Sequence, residues 1–150
     1  MKSAWFIQFH IFFSFLSYLL FCLAFLSAIV FLWIEHQLKH KRLIPQGWPS
    51  LMLLDSVNAR AITIGFLLFT LGILAGISAD KMTYGKFLIG DPKEGWTLAS
   101  WCIYALIMGM RLSCTLRGKK VMLLASLAFG LILFTFMGVN FFFEGIHSVR

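Results

Sequence analysis

The chain has 150 residues, room for one domain, and is 60% apolar, 17% aromatic and only 13% charged. A water-soluble domain carries about 25% charged residues, so this composition excludes water as the main solvent. The net charge of +7 then reads as membrane-flanking loops rich in Lys and Arg, and nucleic acid is not expected as a partner.

A membrane-crossing helix needs about 20 apolar residues, and the chain offers four such stretches. The expected fold is therefore all-α: one polytopic domain over residues 1–150 with four transmembrane helices. The first span covers about residues 5–34. It is far longer than the roughly 7–15 residue core of a secretion signal, so it reads as a retained helix. The connection after it breaks at Pro45, Gly47 and Pro49. Ser50 can then cap an interfacial helical stretch, with Leu51, Leu54, Val57 and Ala61 on one stripe. The second span covers about 61–79, with Gly65, Gly72 and Gly76 spaced for close helix packing. A polar loop, 80–95, leads to the third span at about 96–112, where Asp91, Pro92 and Glu94 suit a helix start. Arg111 closes that span and is expected to snorkel to the surface. The fourth span covers about 121–143. Trp5, Trp33, Trp96 and Trp101 suit interfacial belts.

Orientation follows from the loops. Lys39, Lys41, Arg42, Arg60, Arg111, Arg117, Lys119 and Lys120 fall on one side, against Lys2, Lys81, Lys86, Lys93 and Arg150 on the other. The richer side is cytoplasmic by the positive-inside rule, which puts both termini and the 80–95 loop outside (N-out/C-out).

Chemistry-bearing residues are few. Cys22, Cys102 and Cys114 have no CxxC spacing, so a metal cluster or thiol redox motif has no support; they read as buried small apolar residues. No HExxH, GxSxG or P-loop occurs. His36 and His40 sit in the basic inner loop and read as a solvated or headgroup-facing cluster. His10 and His147 differ, because the topology places both near the outer ends of spans, at similar depth, among Phe9, Phe12, Phe13 and Phe141 to Phe143. Two imidazoles so placed could hold one haem iron from both sides; the alternative is two unrelated interfacial histidines beside lipid-facing rings. Lys81, Lys86, Lys93 and Arg150 would pair with haem propionates by charge alone. Asn140, near the outer end of the fourth span, can make an interhelical hydrogen bond or a ligand contact.

Several motifs resemble the cytochrome c assembly family, whose members include the CcsA (ResC), CcmC, CcmF and HemX-like proteins. Gly85, the run Asp91-Pro92-Lys93-Glu94 and Trp96 resemble its tryptophan-rich "WWD" segment. Gly138-Val139-Asn140 through Gly145-Ile146-His147-Ser148 is similar to the family's ending. Phe9-His10 with Ser17-Tyr18, and Arg60-Ala61-Ile62 with Gly65, are similar to two of its helix starts. The chain departs from the pattern where the loop tryptophans are Tyr84, Leu88 and Gly90, and where Gly109 stands in place of a histidine inside the third span.

The resemblance covers the C-terminal portion of a CcsA protein and implies a haem-handling membrane subunit in a bacterial inner or thylakoid-type membrane. It would bind haem b on its outer face through His10 and His147, with Lys81, Lys86, Lys93, Asp91, Trp96 and Asn140 completing the cofactor-binding set and no catalytic side chain. Implied partners are a ResB-like subunit, apocytochrome c and the lipid bilayer. The chain is not expected to be a complete haem lyase alone. Two other readings stay open: a bis-histidine electron-transfer subunit of a respiratory or photosynthetic complex, and a haem-free structural or regulatory subunit.

Overall fold

The computed structural model describes residues 2–44, 46–85, 92–113 and 118–134, with the side chains of all but 2, 3, 84, 92 and 93. These residues form four helices and no strand: α1 (Lys2–Lys39), α2 (Leu51–Tyr84), α3 (Pro92–Leu112) and α4 (Lys119–Leu133). At 1.5 Å per residue α1 and α2 are about 57 and 51 Å long, well beyond a hydrocarbon core of about 30 Å. Both are long and apolar enough to cross a membrane, yet only 33% of the most apolar stretch of each is covered by the rest of the chain. A core helix of a soluble protein would be mostly covered; here Leu19, Leu23, Leu26 and Ile29 line an exposed face of α1. A helix apolar on its uncovered side needs lipid or another helix there.

α1, α2 and α3 are longer than the apolar stretches alone predict. α2 begins ten residues earlier than the expected 61, at Leu51, because the Ser50-capped stretch runs into the span without a break. Ser50 takes an extended conformation and its hydroxyl accepts a hydrogen bond from the Leu53 amide at 3.2 Å. Hydropathy alone stops short there because Asp55, Asn58 and Arg60 are polar. Likewise the 80–95 loop is partly helical: residues 80–84 complete α2, and Pro92–Gly95 form the first turn of α3. α2 ends at Gly85, whose φ of 70° is left-handed, with its amide donating to the Lys81 carbonyl at 3.0 Å. The expected Asp91 cap, and the expected span beyond 134, lie outside the described residues.

α1 and α2 form an antiparallel pair and the most extensive interface of the bundle. Three close approaches set its register. A Cβ added at Gly65 would lie 3.0 Å from the Phe21 ring, one at Gly72 would lie 2.9 Å from Ser14 Oγ, and one at Gly76 would lie 2.9 Å from His10 Nδ1. The expected packing role of these glycines is thus seen directly, each lying against α1. The core continues through Phe21, stacked on Tyr104 of α3 at 3.9 Å, and Phe25, stacked on Phe129 of α4 at 4.9 Å. Ala24, Ala61, Ile62, Ile107, Ala125 and Ala128 fill the space between.

A polar network ties three helices together at the other end. Asn58 is fully buried; its Nδ2 donates to the Ala24 carbonyl at 2.7 Å, and its Oδ1 accepts from Arg111 Nη2 at 2.7 Å. Arg111 also reaches Asp55 Oδ1 at 3.1 Å. The expected snorkelling of Arg111 is therefore corrected: the guanidinium turns inward onto α2 because two acceptors on one face of that helix are in reach. Cys22 is half-buried and Cys102 exposed on α3, so the expectation of burial fails for Cys102, whose side of α3 is uncovered.

Candidate functional site

α1 enters at the end of the bundle where α2 leaves and α3 begins, so His10, Asp80, Glu94 and Thr97 are brought together from three helices. With Ile7, Ile73, Gly76, Ile77, Ala79 and Leu98 they line an open cavity of about 260 Å³. The walls are mostly apolar; the polar residues among them are His10, Asp80, Glu94 and Thr97.

His10 is the best-defined group of this site. Its Nδ1 lies 2.7 Å from the Gly72 carbonyl oxygen. A carbonyl can only accept, so Nδ1 carries a proton and donates it; of the two neutral tautomers this geometry fits the one with Nε2 unprotonated. No other hydrogen bond engages His10 among the described residues. In that tautomer the lone pair of Nε2 can be given to a metal or a donor, the arrangement in which metal-binding imidazoles are usually found: one nitrogen tied to a carbonyl or carboxylate, the other used as the ligand. No cluster of three or more His, Cys, Asp or Glu able to hold a bare metal ion exists among the described residues. A cofactor that needs only axial nitrogens, such as haem, is compatible with this donor set.

The other expected site residues divide into three groups. Trp96 stands in the first turns of α3, 37% exposed, and packs edge-on against Phe134 of α4 at 5.4 Å; it does not line the cavity. Lys81 is exposed on the last turn of α2, beside the cavity-lining Asp80. His147, Lys86, Asp91 and Asn140, together with the side chain of Lys93, lie outside the described residues. Sequence reasoning missed Asp80, Glu94 and Thr97 as neighbours of His10, and it gave Gly72 and Gly76 no part in the site. A signal was available. His10, Ser14 and Phe21 are spaced by four and seven residues, and Gly76, Gly72 and Gly65 by four and seven in the opposite direction, as an antiparallel helix pair requires.

The remaining histidines stay apart from this site. His36 and His40 lie at the far end of α1, both exposed, with ring centroids 4.4 Å apart. Nearby, Trp33 packs against Trp48 at 4.7 Å, and Glu35 pairs with Lys39 at 2.8 Å.

Comparison with known proteins gives a consistent picture. The family model described as cytochrome C assembly protein matches residues 1–147. A cytochrome c biogenesis protein CcsA of Synechococcus is 38% identical over 109 residues, covering 69% of this chain and 32% of its own length. The protein of the same name from Prochlorococcus marinus is 42% identical over 95 residues, covering 63% of this chain and 31% of its own. That of Chlamydomonas reinhardtii is 32% identical over 149 residues, covering 99% of this chain and 41% of its own. The chain thus spans about a third of the length of the curated relatives it matches. No solved structure matches it. With two helices fit to cross a bilayer and a family match over nearly its whole length, the chain is an integral membrane protein and belongs to the cytochrome c assembly protein family.

Proposed function

We propose that the chain is a haem-binding subunit acting in cytochrome c maturation, with haem b held between His10 and His147 on the outer face of the membrane. The observation that carries this reading is the His10 ring, whose Nδ1 is fixed by the Gly72 carbonyl at 2.7 Å beside a largely apolar cavity, with no hydrogen bond to Nε2 among the described residues. The names of the relatives, cytochrome c biogenesis proteins, support the direction of the chemistry. When bound, haem supplies vinyl groups that can accept the cysteine thiolates of an apocytochrome. This chain's residues would bind and orient it: His10 and His147 would hold the iron, Ile7, Ile73, Ile77 and Leu98 would form the apolar wall, and Lys81, Lys86 and Lys93 would pair with the propionates. The family resemblance adds Asp91, Trp96 and Asn140 to the set. Asp80 and Glu94 line the cavity with carboxyl groups, so the propionates would point away from them, toward the lysines.

The test is spectroscopic. Purified in mild detergent and reconstituted with haem, the protein is expected to give a sharp low-spin b-type spectrum on reduction. A chain that takes up no haem under any reconstitution condition refutes the proposal and leaves a structural or regulatory subunit.

The same reading requires four spans, with the His10 end outside. In a background lacking Cys22, Cys102 and Cys114, Lys81→Cys is expected to react with a membrane-impermeant maleimide in intact cells. Gln46→Cys is expected to react only after permeabilisation. The reverse pattern refutes the orientation.

A second reading, an electron-transfer subunit with a permanently fixed haem, is favoured by one feature: Tyr84, Leu88 and Gly90 occupy the positions where the family pattern has loop tryptophans. Haem that passes readily to an apocytochrome supports delivery, and haem that stays supports relay.

A further inference from the structure

We propose that Gly72 and Gly76 are positioning residues for His10, which hold its imidazole in the Nδ1–H tautomer with Nε2 presented as the ligand atom. This rests on the reading of His10 as an iron ligand, but the positioning itself is a property of the protein without haem. The two glycines do different things. At Gly72 the missing side chain lets the α1 backbone come close: an added Cβ would lie 2.9 Å from Ser14 Oγ and 3.3 Å from the Ser14 amide nitrogen. That approach, one turn along α1 from His10, brings the ring within reach of the α2 backbone. At Gly76 the missing side chain is replaced by the ring itself: an added Cβ would lie 2.9 Å from Nδ1, 3.2 Å from Cε1 and 3.5 Å from Cγ. The imidazole edge thus occupies the groove above Gly76 and donates to the Gly72 carbonyl at 2.7 Å.

That carbonyl also serves the helix, since its i+4 partner is the Gly76 amide. A carbonyl has two lone pairs, so the helix bond and the imidazole bond coexist. The consequences are chemical. A free histidine can place its proton on either nitrogen; among the described residues the acceptor within hydrogen-bond distance of the ring is on the Nδ1 side. Tying Nδ1–H to a carbonyl fixes the ring orientation and makes Nε2 a more basic donor. An alanine at position 76 displaces the ring edge and breaks the tie, although His10 is still present. Gly65, farther along the same interface, provides the control, because its Cβ would meet Phe21 at 3.0 Å and not His10.

The experiment has two readouts. The imidazole nitrogens of 15N-histidine-labelled protein without haem report the tautomer of His10, assigned by loss of the signal in His10→Gln. Wild type and Gly65→Ala are expected to show His10 protonated on Nδ1, and Gly76→Ala to lose that signature. After haem loading, Gly76→Ala is expected to bind about 10–100-fold more weakly than wild type, the usual range for losing a ligand's hydrogen-bond partner, with Gly65→Ala close to wild type. An Nε2-protonated His10 in the wild type overturns the inference, even if Gly76→Ala fails to fold. So does an Nδ1–H signal that survives Gly76→Ala. A tautomer that responds as expected in a protein that never takes up haem supports the positioning role and overturns the haem reading instead.

Discussion

Replacing His10 by alanine is expected to convert a low-spin haem spectrum to a high-spin one, and to weaken haem binding by at least the 10–100-fold seen when only a ligand's hydrogen-bond partner is lost. The expectation follows from the geometry. Among the described residues His10 is the cavity-lining imidazole at this end of the bundle, its Nδ1–H is committed to the Gly72 carbonyl, and no hydrogen bond engages Nε2. His147→Ala is expected to give the same change, as the other half of an axial pair. Added imidazole is expected to restore the low-spin spectrum in the His10 variant, because a free ring can enter the space vacated. His36→Ala and His40→Ala, at the far end of α1, are expected to leave the spectrum as it is. Low-spin haem that persists in both His10→Ala and His147→Ala sinks the ligand assignment.

The second large effect is on stability. Asn58→Ala removes the fully buried group that joins the Ala24 carbonyl on α1 to Arg111 on α3. Hydrogen bonds between membrane helices average only about 0.6 kcal/mol, but one to a charged partner is worth about 1.5–3 kcal/mol. The Arg111 bond is of that kind, and its side chain is only 13% exposed. A loss of about 2–3 kcal/mol is therefore expected, read as a lower midpoint on titration with a denaturing detergent. Arg111→Leu alone leaves Asn58 Oδ1 and Asp55 without their cation. The double variant Asn58→Ala/Arg111→Leu is expected to cost less than the two single losses together, since the Asn58–Arg111 bond that both remove is lost only once. Additive losses would mean that the two residues act independently.

The elements of the fold were legible where a local rule decides them. The Ser50 cap, the Pro92 helix start and the long first helix all follow from residue type and hydrophobic run length, and all are present. Helix ends were less legible, because hydropathy treats Asp55 and Asn58 as the end of a span, whereas their polarity is met by Arg111 and by the α1 backbone. His10 could be singled out by depth and by family resemblance. Its surroundings could not, because depth along a membrane normal carries no information about which way a side chain faces. Asp80, Glu94 and Thr97 join His10 only once the register of α1 against α2 and the placement of α3 are known. Arg111 shows the same limit: snorkelling and inward pairing begin from the same sequence position and differ only in helix rotation.

Rotation also links the two ends of the bundle. Asn58 and Gly76 are separated by about five full turns of α2 at 3.6 residues per turn, so they share one azimuth on the helix cylinder. The Asn58 amide is held against the Ala24 carbonyl of α1, and this keys the angular phase of the whole rod. A slip of a single residue would carry α2 through about 100° and 1.5 Å in a screw motion, swinging the groove above Gly76 off the imidazole about 27 Å away. The buried amide thus works as an indexing pin: it fixes the angle at which α2 presents its backbone oxygen to His10 from the opposite end of the molecule.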